Sequence, residues 1–512
     1  MSEIAARPHD RSPAGAGRDD EDARRLADLG YESRFERRMG LWENFALGFT
    51  YLSPVVGVYS TFALAFAAGG PPMIWSILIA GIGQMLVALV FAEIVAQYPL
   101  AGGVYPWARR LVGRGWAWMT GWLYGWALIA TVASVSTGAV VFVGALFGFT
   151  PTRFTTVLIA AGLMLFAMLV NLSGTKVLGR VAMAGFVAEL VGALFVGGYL
   201  LLFERHHDLG VFFDGLGTQG DGTYLGAFLA ASLLGLYLFY GFEACGDVAE
   251  EVPDPGRTIP KAMRRTIYIG GAAALLVTAA LILAQPDFGA ILSGEQADPV
   301  GAVLSDVFGS VGSKVITVIV LISFVSCILS LQAAASRLIF SYARDRMVFG
   351  SGALSRFSPE RHVPPVALTV AALLPAALVA IAELISDSAL LRVISFASAG
   401  IYVAFQMVVL AALIARSRGW IPSGRFTLGR WGVPVNVAAL IYGVAGALNL
   451  AWPRGGDEVA WSDKWIVVLG LAAVLAVGTL YALIARPHLR SDSPWGDAAG
   501  SSRAAAPSDT AG

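Results

Sequence analysis

The chain is poor in charge. Of its 512 residues only 14% are Asp, Glu, Lys or Arg, against roughly 25% in an average soluble domain, while 57% are hydrophobic. That balance excludes a soluble enzyme. Net charge is also lacking, since 35 basic residues stand against 35 acidic ones, so no global field exists to recruit nucleic acid or an anionic partner. Cysteine is nearly absent: Cys245 and Cys327 lie inside apolar stretches, which gives neither a disulfide framework nor a metal-ligand cluster. The five histidines, His9, His206, His207, His362 and His488, all fall outside the long apolar runs, so Ser/His/Asp catalysis has no support there. No phosphate-binding glycine loop follows a strand, which excludes ATP-driven transport within the chain, and no cofactor is implied. Glycine, by contrast, is abundant, with 59 residues where roughly 7% is usual, as in helices packed closely in lipid.

A spanning helix needs about 20 mainly apolar residues. Such runs number twelve, near 43–66, 72–98, 116–147, 154–174, 181–203, 225–247, 266–285, 311–343, 366–385, 391–415, 433–452 and 465–485. The expected protein is an all-α polytopic membrane protein with a transmembrane domain over 41–485. Residues 1–40 and 486–512 are polar and are expected to be a disordered leader and tail in the cytoplasm. Charge supports this topology. Seventeen Lys and Arg fall in the loops assigned inside and six in or at the edges of those assigned outside, although the outside loops near 204–224 and 286–310 are the longer ones. The expected location is the cell membrane, multi-pass, with both termini cytoplasmic.

Span 1 is interrupted by Ser53-Pro54 and Gly57, and span 6 by Gly241 and Gly246; spans 3 and 8 are the two longest. Both correspondences are five spans apart, and because five is odd the second copy of such a repeat is inverted. Interrupted helices at matching positions of two inverted halves mark a transporter's substrate site. After Ser53-Pro54-Val55-Val56-Gly57, a half-helix is expected to offer free N–H groups and a positive dipole end to a carboxylate. Around Tyr240-Gly241-Phe242-Glu243, carbonyl groups suit an ammonium, with Tyr240 and Phe242 closing over it.

The run Phe91-Ala92-Glu93-Ile94-Val95-Ala96-Gln97-Tyr98-Pro99-Leu100-Ala101-Gly102-Gly103-Val104-Tyr105-Pro106-Trp107-Ala108 resembles the signature after span 2 of amino acid-polyamine-organocation (APC) transporters. It is similar above all to their amino acid/choline branch, in which Gly121-Trp122 and Gly125-Trp126 also look at home. Tyr240-Gly241-Phe242-Glu243, Ala249-Glu250-Glu251-Val252-Pro253-Asp254-Pro255 and Ile259-Pro260 resemble that branch's span 6 and following loop. The resemblance implies a LeuT-like 5+5 inverted repeat, with repeats over about 43–203 and 225–415 and two accessory helices over about 433–485. It also implies a substrate site formed by Ser53, Pro54, Val56 and Gly57 on span 1 and by Tyr237, Tyr240, Gly241, Phe242 and Glu243 on span 6.

Acids inside a membrane are costly and functional by default. Glu189, in span 5 with no basic residue within a helical turn, and Glu243, in the span 6 break, are the proton-coupling candidates. Glu93 near the end of span 2 suits a salt bridge to a loop arginine, and Asp247 an inner gate. Some members of the resembled family carry a span 5 lysine in place of a bound cation, and this chain has none. Ser323 and Ser326 are three apart on span 8 and are the candidates for a sodium site, competing with a packing role. Adjacent Glu250 and Glu251, beside Arg257, suggest a gate latch or a loop brace.

The expected function is secondary active transport of amino acids or related small amines by alternating access, either proton-coupled or by exchange. The expected partners are that substrate, a coupling ion (a proton ahead of sodium) and the bilayer. A sensor of amino acids that kept the fold without turnover is the alternative, and a membrane-embedded enzyme lacks any catalytic constellation.

Overall fold

The computed structural model describes residues 13–220, 222–385, 389–454 and 459–500. Among them every named element is a helix, because in hydrocarbon a helix pairs its own backbone groups locally. The leader carries α1 (Pro13–Asp28). The first expected span is split into α2 (Leu41–Leu52) and α3 (Pro54–Gly69), followed by α4 (Ile74–Gln97), a short α5 (Val104–Leu111), α6 (Arg114–Phe147), α7 (Arg153–Asn171) and α8 (Thr175–Phe203). Three short pieces come next, α9 (Tyr224–Ala231), α10 (Leu233–Leu238) and α11 (Ala244–Asp247), then α12 (Pro255–Ala284), α13 (Phe288–Leu292) and α14 (Pro299–Arg344). After α15 (Ser351–Leu354) lie α16 (Pro365–Ile385) and α17 (Ala389–Ser417); α18 (Gly432–Ala451), α19 (Trp461–Lys464), α20 (Ile466–Ala485), α21 (Pro487–Arg490) and α22 (Asp497–Gly500) are the last among the described residues.

Eleven stretches of the described residues are long and apolar enough to cross a membrane. The expected span at 225–247 is not a single helix: Tyr224–Leu238 is apolar but shorter, and regular helix is lost from Phe239 to Glu243 before α11. α14 counts 46 residues, which unbroken would run about 69 Å, more than twice the ~30 Å of a hydrocarbon core. It bends at Gly309, where φ is 64° and ψ −178°, so the spanning part begins where the apolar run does.

Burial separates centre from periphery. The most apolar stretch of α6 is 83% buried, that of α20 only 11%. Peripheral helices turn leucine and phenylalanine outward, Leu158, Leu165 and Phe166 on α7 and Leu480 and Leu483 on α20, as a lipid-facing surface requires.

The leader and tail differ from the expectation of disorder wherever they are described. Leu26, Phe35 and Met39 are buried, and Phe35 packs edge-on against Phe340 and Phe357 at 5.5 and 4.9 Å. Arg25 donates to the Ala96 carbonyl at 2.8 Å, Arg37 to that of Val252 at 3.0 Å, and Tyr31 to Asp345 at 2.7 Å. In the tail Arg110 pairs with Asp497 at 2.7 Å, and Arg114 donates to the Ser493 carbonyl. Composition was a poor guide here because a few apolar side chains among many charges suffice once the bundle supplies free carbonyls and acids. Residues 1–12 and 501–512 lie outside the described residues.

Buried ion pairs close the same face. Arg337 pairs with Glu251 at 2.7 Å, and Glu251 also accepts from Thr175 at 2.6 Å. Arg344 pairs with Glu250 at 3.0 Å, whose Oε1 accepts from the Ala101 N–H at 3.0 Å. Arg109 pairs with Asp345, and Arg416 with Glu93. The paired acids of this loop thus meet arginines of α14.

Candidate functional site

The first break follows from one residue with an unusual backbone and one without an N–H. Ser53 ends α2 by donating its N–H to the Phe49 carbonyl at 2.7 Å, then turns at φ 41°, and Pro54 starts α3 with no donor of its own. The Val55 N–H and the Ser53 hydroxyl both donate to Glu189 Oε1, at 2.9 and 2.7 Å. The Val56 N–H donates to Ser53 Oγ at 3.2 Å, and that of Gly57 to the Ser53 carbonyl at 2.9 Å. The free N–H groups expected here are thus already occupied. Span 5 supplies an acid to the positive end of the half-helix, where electrostatics favour it.

The second break rests on Gly241, at φ 117°. A Cβ there would lie 2.6 Å from the Leu52 nitrogen, so only glycine lets the two breaks meet backbone to backbone. Tyr240 stands edge-on to Tyr51 at 6.3 Å and to Tyr237 at 5.6 Å, and Tyr237 meets Ser134 of α6 at 3.4 Å. Cys327 of α14 donates to the Tyr51 carbonyl at 3.3 Å. Ser53, Pro54, Val56, Tyr237, Tyr240, Gly241 and Glu243 therefore come together, all buried, at the centre of the bundle.

Two expected contributors have other surroundings. Phe242 lies 5.9 Å from Phe91 and 5.6 Å from Phe405, in an aromatic cluster with α4 and α17, and does not close over the span 1 break. A Cβ on Gly57 would overlap Leu238, so this glycine serves the close approach of α3 and α10. Ser323 donates to the Ile319 carbonyl of its own helix at 3.1 Å, and Ser326 lies against Gly185 of α8.

Below the second break two acids share a hydroxyl. Tyr124 of α6 lies 3.3 Å from Glu243 Oε1 and 3.1 Å from Asp247 Oδ2, while Glu243 Oε2 accepts from the Gly241 N–H at 2.7 Å. Tyr124 and Tyr51 carry no sequence signal that marks them as site residues, because neither belongs to a break. The Ser53 to Glu189 contact joins residues 136 apart, which no local pattern announces.

Residues 39–478 match the amino acid permease family. Amino-acid permease BAT1 of Arabidopsis thaliana is 25% identical over 483 residues, covering 88% of this chain and 92% of that protein. The BAT1 homolog of Oryza sativa subsp. japonica is also 25% identical, over 94% of this chain and 96% of its own. An uncharacterised amino-acid permease of Schizosaccharomyces pombe shares 25% over 91% and 86%. With a family match that runs from the start of the first span into the last, the chain belongs to the amino acid permeases of the APC superfamily and is a membrane transporter, not an enzyme.

Proposed function

We propose that the chain is a secondary active transporter that carries amino acids or related small amines across the cell membrane by alternating access, with a proton as coupling ion and both termini in the cytoplasm. One observation carries this reading: two broken helices touch at the centre of the bundle, and an acid from a third helix is bonded into one of the breaks. Irregular backbone persists at membrane depth only where protein buries it or a cavity adjoins it, and a solute can exchange for its internal partners. The substrate sits between Ser53 and Val56 on one side and Tyr237, Tyr240 and Glu243 on the other. Its ammonium meets the span 6 carbonyls and Tyr240. Glu189 holds the coupled proton, since its carboxyl touches the element that moves.

Uptake into proteoliposomes tests this with a panel of amino acids and amines under a proton gradient, a sodium gradient, or unlabelled solute inside. Accumulation is expected with the proton gradient and not with sodium alone. Glu189→Gln keeps the shape but cannot ionise, so its transport is expected to lose pH dependence. An unchanged pH profile moves the proton to Glu243, stimulation by internal solute alone identifies exchange, and binding without flux identifies a sensor.

A further inference from the structure

We propose that Glu189 is a built-in occupant of the substrate's carboxylate subsite: an incoming amino acid takes the Ser53 hydroxyl and the Val55 N–H from it, and Glu189 yields them as the neutral acid. This rests on the reading that the span 1 break binds substrate.

Two donors converge on a single oxygen, Glu189 Oε1, at 2.7 and 2.9 Å. They are an adjacent hydroxyl and backbone N–H, the pair that one carboxylate can accept from. They open α3, a helix of 16 residues. Glu189 Oε2 is buried and, among the described residues, has no hydrogen-bond partner. Buried acids that only hold structure together have both oxygens satisfied, as Glu251 does with Arg337 and Thr175. An orphan oxygen points instead to a group with a second state, in which the carboxyl turns away or carries a proton.

Charge decides what that second state is. Tyr59 from α3 and Cys327 from α14 are the titratable groups close enough to feel the charge of Glu189, and among the described residues no arginine, lysine or histidine is. The dipole of α3 presents about half a positive charge, enough to favour one carboxylate and not two. Two carboxylates in one buried site do not both stay ionised. A substrate carboxylate therefore enters only as a proton from the medium settles on Glu189, and when the substrate leaves Glu189 gives the proton up and reoccupies the donors. One proton then accompanies each carboxylate-bearing substrate, whereas a solute with a neutral group at that end needs none.

The test is a binding titration on the purified full chain in lipid nanodiscs between pH 5 and 8. The twenty common amino acids are screened, and the tightest binder is compared with its own carboxamide, which has nearly the same shape and no charge. Amino acid affinity is expected to rise towards acidic pH by up to about tenfold per pH unit, the limit for one linked proton, while carboxamide affinity shows no comparable slope. In Glu189→Gln the amino acid slope is expected to vanish. Equal slopes for the two ligands, no slope for either, or a carboxamide that binds at no pH overturn the proposal without recourse to a variant. So does a slope that survives in Glu189→Gln. If Ser53→Ala binds the amino acid as the natural protein does, the span 1 site itself is wrong and the underlying reading falls with the inference. If Ser53→Ala loses binding but the slopes are equal, only the inference fails. Binding of none of the twenty overturns both.

Discussion

At Gly241 a side chain meets two separate obstacles, a φ of 117° that only glycine adopts easily and a backbone nitrogen 2.6 Å from where its Cβ would lie. Gly241→Ala is therefore expected to cost about 1–3 kcal/mol in backbone strain and to push the breaks apart. The checks are a lowered melting temperature and loss of uptake in protein that still inserts in the membrane. Tyr124 has one hydroxyl proton for two buried acids. Tyr124→Phe removes the one donor the two carboxyls share, at about 1–3 kcal/mol. The sign follows from which form needs the donor: an ionised carboxylate loses more than a neutral acid, so the deficit should grow as pH rises, which melting curves at pH 5 and 8 measure. Gly241 was legible from sequence because it interrupts an apolar run five spans after the Ser53-Pro54 break. Tyr124 was not, because a tyrosine in a spanning helix reads as packing until its neighbours are known.

Elements divide by what fills their interruptions. The span 1 break is held by its own Ser53 and by Glu189 from α8, the span 6 break by the Glu243 carboxyl turned back on Gly241. Both were recognisable as interruptions, since proline and glycine act locally. The occupant of the first was not, since pairing across 136 residues is a product of packing. The loop after span 6 follows the same rule. Its acids were evident, their partners on α14 were not. With Arg337 and Glu251 each 1% exposed, Glu251→Gln leaves a buried guanidinium without its counter-charge. The expected cost is about 3–5 kcal/mol, and a double-mutant cycle with Arg337→Met should recover part of it, because the second change removes the stranded charge.

For the molecule as a whole, the proposed topology predicts which residues a membrane-impermeant thiol reagent reaches from outside the cell. Cys245 and Cys327 are buried, so the background is low. Cysteine introduced at Ser33 or Asp492, on the face that carries the described parts of the leader and tail, should stay unlabelled in intact cells and react once they are opened. Gln219→Cys, in the long loop before α9, should react at once. The reverse pattern would invert the topology. The leader and tail converge on one face through Tyr31 with Asp345 and Arg110 with Asp497, which accords with an even number of crossings.

Composition and the spacing of apolar runs by themselves determined that this is a polytopic helical membrane protein and where two of its helices break. These are properties of hydropathy and of proline and glycine, which act over a few residues at most. The break in span 6 still fell short of a continuous crossing helix, because Gly241 turns the chain at a φ that no helix contains. Tertiary structure alone decided which acid caps the α3 half-helix, which arginines neutralise Glu250 and Glu251, that Phe242 faces an aromatic cluster, and that the charged leader has a seat. Each depends on two segments remote in sequence meeting at a few ångströms in a medium where a polar group must find a partner, and the identity of that partner is set by packing.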